Sequence, residues 1–367
     1  MTRGEEFAAK RDRLRALLEA RGLGAVLLAR RSHFAWLTCG GQNHVAAASE
    51  IGAGVLVVTR EKVFLLSSNI ETARQLEEEC FDLPIQPAPY PWHAERTDKP
   101  AALAKLLSGL EHGSDGSGGG VDLAADLIRL RHPLLPSEMN RYRLLGQAAE
   151  EVLNGTCRAL KPGMTEFEVA GLLAGGCLAR GLEASVRLVA FDERIDKYRH
   201  PLPTEKRLEK TALLVLGARK WGLNASLSRM VSFAPMGSDL RRKHDAVCRI
   251  DTVLNLASHP GARLGVILAQ GIRQYEEEDF GEEWHRHHQG GLTGYEGRDI
   301  RAVPGSEHAL AAPTAVAWNP SVTGTKSEDT FLVTESGVEC LTEAKEWPMV
   351  WAQTDLGRLE RPDILQP

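Results

Sequence analysis

Apolar and charged positions alternate with helical spacing over residues 5–21, and Gly22 and Gly24 follow directly. Apolar residues three and four positions apart share one face of a helix, and glycine ends such a pattern. The chain is therefore predicted to begin with an amphipathic helix. Helical patterns return near residues 69–79 and 98–109. Together with the short apolar runs before and between them, they predict a small α/β domain. The runs predicted as strands are GAVLLA, HFAWLT, GVLVVT and VFLLSS.

A glycine-rich stretch, HGSDGSGGG, has the composition of a flexible linker. The segment VDLAADLIRLRH that follows still has the pattern of a strand and a helix, so it belongs with the first domain. A new long helix begins within HPLLPSEMNRYRLLG, which places the domain boundary near Pro133–Pro136. The predicted domains are therefore residues 1–133 and residues 134–367.

The second domain combines helical patterns with longer strands. Two apolar runs on either side of Lys220-Trp221-Gly222 predict a β-hairpin. Amphipathic helices are predicted at roughly 237–257 and 264–278, and the two terminal strands are predicted to turn at Ser336-Gly337. Helices combined with an antiparallel sheet predict an α+β domain.

Composition limits the classes of function. The chain is 43% hydrophobic and 25% charged, with a formal charge of −5 that is spread along the sequence. Because there is neither a basic block nor an acidic tail, no nucleic-acid partner is expected. No apolar run approaches the ~20 residues that a membrane span needs, so no membrane partner is expected either.

The six cysteines lie far apart and form no CxxC pair. Their spacing argues against a zinc ribbon, a redox motif or a dense disulfide framework, and favours reduced, buried thiols. The start of the chain, MTRGEEFAAKRDRLRALLEARG, has early acidic residues and lacks the apolar core of a signal peptide. The cytoplasm is therefore the expected location.

The segment WHRHHQGGLTGYEGRD carries three histidines within four positions, His285, His287 and His288. Histidine at this density indicates a metal site or a proton-transfer site. On a strand, His285 and His287 would share one face, and His288 would lie on the other. Two imidazoles hold zinc only with further ligands from elsewhere, so a single relocated metal near these histidines stays an alternative.

Three segments carry a resemblance to a known superfamily: ARRSHFAWLTCG, PSEMNRYRLLGQAAE and KSEDTFLVTESGVECLT. Over nearly its whole length the chain resembles the creatinase/aminopeptidase P/prolidase superfamily, in which such segments occur in this order. The resemblance implies an α+β fold, with a small α/β creatinase-like N-terminal domain and a pita-bread C-terminal domain. The patterns HHQGG…GY and WNP…GTKSEDT are similar to those of a divergent bacterial subgroup of this superfamily.

Metallopeptidases of this superfamily hold two metal ions with two Asp, one His and two Glu. Hard divalent ions prefer such oxygen ligands, and a bridging hydroxide is the nucleophile. Carried onto this sequence, the five ligand positions are Val215, Ser226, Gly291, Asn319 and Glu328. Only Glu328 keeps the ligand side chain, and one carboxylate cannot hold two divalent ions. The comparison therefore implies a site without metal, and no cofactor is expected.

Creatinase is a precedent for metal-free chemistry on this fold. The resemblance implies that His200 is the acid–base catalyst, a role that suits histidine because its unperturbed pKa lies near neutrality. It also implies that Glu328 orients the substrate or binds its cationic part, and that His287 lies on the substrate side. Lys326 and Glu328, two positions apart, could point to the same side of a strand and pair with each other, and an equally open interpretation is that each is half of an ordinary salt bridge. The residues expected to bind substrate are Arg298, His288, Gln289, Tyr295, Asn319, Lys326 and Ser226.

For two of these residues, a purely structural role is also an open interpretation. Arg298 could form a surface pair with Asp299 or Glu296, and His200, which precedes a proline, could be no more than a turn residue. The favoured function is a metal-independent, creatinase-like hydrolase or lyase that cleaves a C–N bond in a small polar substrate. The alternative is a non-catalytic protein that binds a ligand or partner, and a less favoured one is an Xaa-Pro metallo-aminopeptidase. The resemblance also implies a homodimer.

Overall fold

The computed structural model describes residues 1–367. It divides into two compact units, Met1–Ser137 and Glu138–Pro367. Both units combine helices with sheets, and the fold is α+β. No helix has both the length and the apolar composition needed to cross a membrane.

The first unit is built on a six-stranded sheet of order β4-β3-β2-β1-β5-β6. In it, β1 is antiparallel to β2 and parallel to β5. A π-helical turn, Gln75–Glu79, continues α3, and a 3-10 turn, Trp92–Ala94, precedes α4. The elements are α1 (Arg3–Ala20), β1 (Ala25–Arg30), α2 (Arg31–Leu37), β2 (Ile51–Thr59), β3 (Val63–Ser68), α3 (Thr72–Arg74), β4 (Ile85–Tyr90), α4 (Glu95–Leu107), β5 (His112–Ser114), β6 (Val121–Asp122) and α5 (Ala124–Arg131).

One predicted strand of this unit is wrong. The run HFAWLT lies mainly in α2, a short helix in which all seven residues are buried. A short apolar run that is buried on all sides has no periodicity to separate a strand from a helix, and neighbouring elements decide. Here β1 ends at Arg30, directly before α2 begins, and Thr38 caps the helix end through a bond from its amide to the carbonyl of Phe34.

The second unit contains a three-stranded sheet, β7-β8-β9, and a five-stranded sheet, β11-β10-β12-β15-β16. Short pairs β13–β14 and β17–β18 complete its strands, and a 3-10 turn, Glu283–Arg286, precedes β10. The elements are α6 (Pro136–Ala159), α7 (Glu166–Leu178), β7 (Glu183–Phe191), α8 (Glu193–Lys197), β8 (Thr211–Lys220), β9 (Leu223–Ser232), α9 (Ser238–Leu256), α10 (Leu264–Glu277), β10 (Gly290–Thr293), β11 (Ile300–Arg301), β12 (Thr314–Trp318), β13 (Ser321–Val322), β14 (Thr325–Lys326), β15 (Asp329–Thr334), β16 (Gly337–Cys340), β17 (Met349–Thr354) and β18 (Gly357–Pro362).

The predicted hairpin and both predicted amphipathic helices are present in this unit. The hairpin is β8–β9, which turns at Trp221-Gly222, and the helices are α9 and α10. The terminal hairpin β15–β16 differs slightly from the prediction. Thr334 and Gly337 are paired, so the turn consists of Glu335-Ser336, one residue earlier than expected.

The core of the second unit lies between α9, α10 and the five-stranded sheet. Ile250 and Leu254 of α9 meet Ile267 of α10, and Val316 and Trp318 of β12, all fully buried, complete the cluster. Burying each such side chain contributes about 1.5–3 kcal/mol. This packing holds β12 and its neighbours β10 and β15 in place, and the candidate site is built from their ends.

Candidate functional site

The site lies where the β8–β9 hairpin meets the start of β15. The amide of Ser228 on β9 donates to the carbonyl of Glu328, at 3.0 Å. Two residues earlier on β9 and two residues after Glu328, the amide of Ser226 donates to the hydroxyl of Thr330, at 2.8 Å. These bonds fix Glu328 against β9, with Lys326 of β14 two residues before it.

Glu328 is 3% exposed and is held by two cations. Its Oε2 accepts from the Ser228 hydroxyl at 2.6 Å and from Lys326 Nζ at 3.0 Å, and its Oε1 accepts from Arg298 at 3.0 Å. Burial alone would raise the pKa of this carboxyl, but Lys326 and Arg298 lower it to about 2. Glu328 is therefore ionised at neutral pH. The contact between Lys326 and Glu328, one of the two interpretations that the sequence left open, is present.

Arg298 is a largely buried bridge across the site. Besides Glu328, it donates from its second terminal nitrogen to the hydroxyl of Ser226 at 3.1 Å and to the carbonyl of Gly297 at 2.6 Å. Its Nε is buried and has no hydrogen-bond partner. Arg298 thus joins Ser226, a residue expected to bind substrate, to the candidate catalytic residue Glu328.

Three histidines converge beside this ion cluster, and they are not the three that are adjacent in sequence. His200, from the loop after α8, places its Nε2 2.9 Å from Nε2 of His287. His288 stacks on His287 with ring centroids 4.4 Å apart. One ring nitrogen from each of the three lies within 4.8 Å of the others.

His285 does not share a face with His287, so the predicted strand geometry is wrong. His285 belongs to the 3-10 turn before β10 and stacks on Trp284 at 3.8 Å, while His287 is the extended residue that ends the turn. A 3-10 turn places successive side chains on different sides, so the period-two argument fails here.

The environment keeps these imidazoles neutral. Burial, reinforced by the positive charge of Lys326, lowers the pKa of His287 to about 2. Burial and then Arg298 lower the pKa of His288 to about 4. Burial and Lys326 also lower the pKa of the more exposed His200. Neutral imidazole has a free lone pair, so the cluster offers bases at neutral pH.

The hydrogen-bond network decides which nitrogen of His287 carries the proton. Its Nε2 faces His200, and its Nδ1 is buried without a partner. An orphaned buried N–H is rarer in proteins than an under-used acceptor. We therefore assign the proton to Nε2 of His287, which donates it to Nε2 of His200 and leaves a lone pair on Nδ1.

Other residues expected to bind substrate have partners within the protein. The Gln289 amide accepts from the hydroxyl of Tyr275 at 2.8 Å and donates to the carbonyl of His287 at 2.6 Å, which positions that histidine. The hydroxyl of Tyr295 donates to Glu138 at 2.5 Å. Asn319, 3% exposed, donates its backbone amide to the Gln289 carbonyl and keeps a buried, unpartnered Oδ1.

Arg301 is a site residue that sequence reasoning missed. It lies on β11, is exposed, and makes no side-chain hydrogen bond or ion pair. Its charge contributes to lowering the pKa of both His200 and His288. No motif marks it, because its place beside the histidines comes from the pairing of β11 with β10.

Two metal ions do not fit the residues present at the matched ligand positions. Gly291 has φ +141°, and a Cβ there would lie 2.4 Å from the carbonyl oxygen of Ile300, so the backbone itself fills the place of a ligand side chain. Val215 is packed in an apolar cluster. The only carboxylate, Glu328, already neutralises two side-chain cations.

Restoring the lost ligand by Gly291→His is therefore expected to lower the free energy of unfolding by at least about 2 kcal/mol, because of the strained φ and the overlap with β11. The measurement is urea denaturation followed by circular dichroism. Gly297→His is the matched control, since Gly297 is exposed and a Cβ there would meet nothing within 4 Å. Its change is expected to stay below about 0.5 kcal/mol. A fully stable Gly291→His protein would contradict this account.

Comparison with known proteins agrees with the fold. Residues 140–335 match the family described as metallopeptidase family M24. An uncharacterized peptidase from Staphylococcus aureus (strain MW2) is 27% identical over 255 residues, covering 66% of this chain and 70% of that protein.

Two solved structures are similar to this chain, at sequence identities so low that the similarity shows a shared fold alone. The prolidase from Pyrococcus horikoshii OT3 gives a TM-score of 0.76 at 17% identity, covering 92% of this chain and 98% of that one. The N-terminal domain of the FACT complex subunit SPT16 from chickpea (Cicer arietinum) gives 0.69 at 10% identity, covering 93% and 97%.

Proposed function

This chain belongs to metallopeptidase family M24, and we propose that it is a hydrolase that cleaves a C–N bond in a small polar, anionic substrate without using metal ions. The observation that carries the proposal is the state of Glu328. This last matched ligand is ion-paired with Lys326 and Arg298, beside a hydrogen-bonded pair of neutral histidines. The side chains of Lys326 and Arg298 thus supply positive charge next to an acid–base pair of histidines.

The histidine pair is suited to move a proton from the site to solvent. A cavity of about 10 Å³, room for about one water molecule, is lined in part by His287, Ser321 and Lys326. In the proposed step, a water there gives a proton to Nδ1 of His287 while the Nε2 proton of His287 moves to His200. The resulting hydroxide adds to the carbon of the C–N bond.

The positive charge of this step then rests on His200, which is the more exposed of the two imidazoles. Returning the proton by the same route to the departing nitrogen completes the hydrolysis, and both histidines recover their starting state. His200 is thus the terminal acid–base group, and His287 is the group that faces the reacting water.

The charges around the site favour an anionic substrate. Arg298, Lys326 and Arg301 surround one carboxylate, Glu328, and Arg301 has no partner within the protein. An unpaired guanidinium is a suitable donor to a carboxylate. Because both oxygens of Glu328 are used by the cations, its proposed role is to position Lys326 and Arg298.

The test is a turnover screen with metal analysis. The purified full chain is incubated with ureido, guanidino and N-acyl amino acids and with Xaa-Pro dipeptides, before and after treatment with EDTA. We expect hydrolysis of a carboxylate-bearing C–N substrate, detected by mass spectrometry, to persist after chelation. Two bound equivalents of Mn, Co or Zn, together with Xaa-Pro cleavage that EDTA abolishes, would overturn the proposal.

A second candidate is a non-catalytic, ligand- or partner-binding protein. The small cavity beside His287 favours the partner-binding form, since 10 Å³ admits neither a substrate nor another small ligand. Hydrolysis instead requires the substrate to approach from the side of the exposed residues His200 and Arg301. A ligand that binds tightly but is never turned over would favour the second candidate. Homodimer formation, the lack of a nucleic-acid partner and the cytoplasmic location stay predictions.

A further inference from the structure

We propose that His200, His287 and His288 form a site for one transition-metal ion of the zinc class, and that this ion inhibits the hydrolysis. The first half concerns binding alone. The second half rests on the proposed function, because it needs a reaction to inhibit. None of these three residues matches a ligand position of the superfamily's dinuclear centre.

The geometry of the three imidazoles is close to that of a metal site. Their candidate ligand nitrogens lie within 4.8 Å of one another. A tetrahedral zinc ion with Zn–N bonds of 2.0–2.1 Å separates its ligands by about 3.4 Å. Small ring movements therefore suffice, and His200, on an exposed loop, is the residue able to make them.

Unused nitrogens are a second, independent observation. His287 is 9% exposed, and its Nδ1 is buried without a hydrogen-bond partner. The Nδ1 of the stacked His288 is also buried and unpartnered. Buried polar atoms in native proteins nearly always have partners, so two such atoms in adjacent rings indicate a ligand.

The chemistry of the donors selects the ion. Three neutral imidazoles suit zinc, cobalt, nickel or copper, whereas magnesium and calcium require oxygen ligands. Three protein ligands also leave a fourth position open. The nearby charges of Lys326, Arg298 and Arg301 repel a dication, so they weaken binding. The open position then favours an anion such as hydroxide or carboxylate.

Inhibition follows from the atoms that the ion would use. In the proposed reaction Nδ1 of His287 accepts a proton from water, and Nε2 of His200 accepts a proton from His287. Each of these two nitrogens needs a free lone pair. An ion coordinated by these two rings occupies at least one of those lone pairs, so the proton transfer stops. Metal would thus act in the opposite sense to its role in a metallopeptidase.

The binding experiment uses the full chain after chelation and dialysis. Zn²⁺ is titrated by calorimetry, and Co²⁺ is followed by its visible absorption, which reports tetrahedral coordination. We expect one ion per chain, bound at least about tenfold more weakly in His200→Gln and His288→Gln. His285→Gln is the matched control and should bind as the parent does, because His285 lies on Trp284 outside the cluster.

Arg301→Gln should change Zn²⁺ binding in the opposite direction to the histidine variants. Removing this cation should tighten Zn²⁺ binding about two- to fivefold. Circular dichroism and thermal melting of every variant establish that it is folded, and the exposed His200 and Arg301 carry little folding risk. Absence of Zn²⁺ binding, or equal binding by the parent and His200→Gln, would overturn the site.

The inhibitory half is tested on whichever substrate the turnover screen identifies. One equivalent of Zn²⁺ is expected to suppress turnover, and EDTA to restore it. Turnover that rises with Zn²⁺ would overturn the inhibitory role while leaving the site in place. If the proposed hydrolysis itself fails, the binding results still decide whether the metal site exists.

Discussion

Replacing Glu328 with glutamine is expected to lower the free energy of unfolding by about 3–5 kcal/mol, the usual cost of breaking a buried ion pair from one side. The substitution keeps the size of the side chain but leaves Lys326 and Arg298 facing each other without a counter-charge. Lys326 is 7% exposed, so water cannot replace the missing carboxylate well. Urea denaturation followed by tryptophan fluorescence measures the change.

An exposed ion pair of similar geometry is the matched control. Glu339 pairs with Arg143 at 2.7 Å, but both side chains are more than 40% exposed. Glu339→Gln is therefore expected to cost less than about 1 kcal/mol. Equal losses for Glu328→Gln and Glu339→Gln would show that the buried cluster has no special energetic role.

A double-mutant cycle separates the pair from the other contacts. Lys326→Met in the Glu328→Gln background removes one of the two stranded cations. The double variant should therefore lose less stability than the sum of the single variants, with a coupling energy of about 0.5–3 kcal/mol. Strict additivity would mean that Lys326 and Glu328 do not stabilise each other.

Replacing His200 with glutamine is expected to lower kcat about 10²- to 10⁴-fold, the usual contribution of a general acid–base group, with a much smaller effect on KM. His200 is exposed, so the variant should fold as the parent does. Steady-state kinetics on the substrate found in the turnover screen measure the effect. His285→Gln, in the neighbouring turn, is the control and should keep full activity. A His200→Gln protein with unchanged kcat would rule out the proton route through His200.

The dependence of the rate on pH gives a further readout of the same role. Burial and Lys326 lower the pKa of His200 below its ordinary value of 6.5, so its base form persists at pH 6.5. The value of kcat/KM should therefore fall only at more acidic pH, as His200 becomes protonated. This acidic limb should be missing from the residual activity of His200→Gln. It should move to higher pH in Lys326→Met, because removing that cation raises the pKa of His200.

Much of the fold was accessible from the sequence because each part depends on local patterns. The β8–β9 hairpin is set by two apolar runs around a Trp-Gly turn, and α9 and α10 by apolar residues at helical spacing. The segment HFAWLT could not be assigned in this way. Its residues are buried on all sides in α2, and burial without periodicity depends on what packs around the segment.

For the site, the residue types at the matched positions were sufficient to infer that the dinuclear centre is lost. A valine, a serine, a glycine and an asparagine at four of the five matched positions cannot replace carboxylates and an imidazole, whatever their arrangement. The contact between Lys326 and Glu328 was one of two open interpretations, because residues two apart on a strand share a face.

The tertiary structure alone decided which side chains meet. His200 and His287 are 87 positions apart and are in contact because a loop after α8 reaches the end of the turn before β10. Gly291 excludes a side chain because β11 lies against it and because its φ is +141°, and the same strand pairing places Arg301 beside the histidines. The sequence by itself determined which chemical groups the five matched positions lack and keep, since these follow from residue types alone. Distance, burial and proton location are properties of packed neighbours, so only the folded chain decided them.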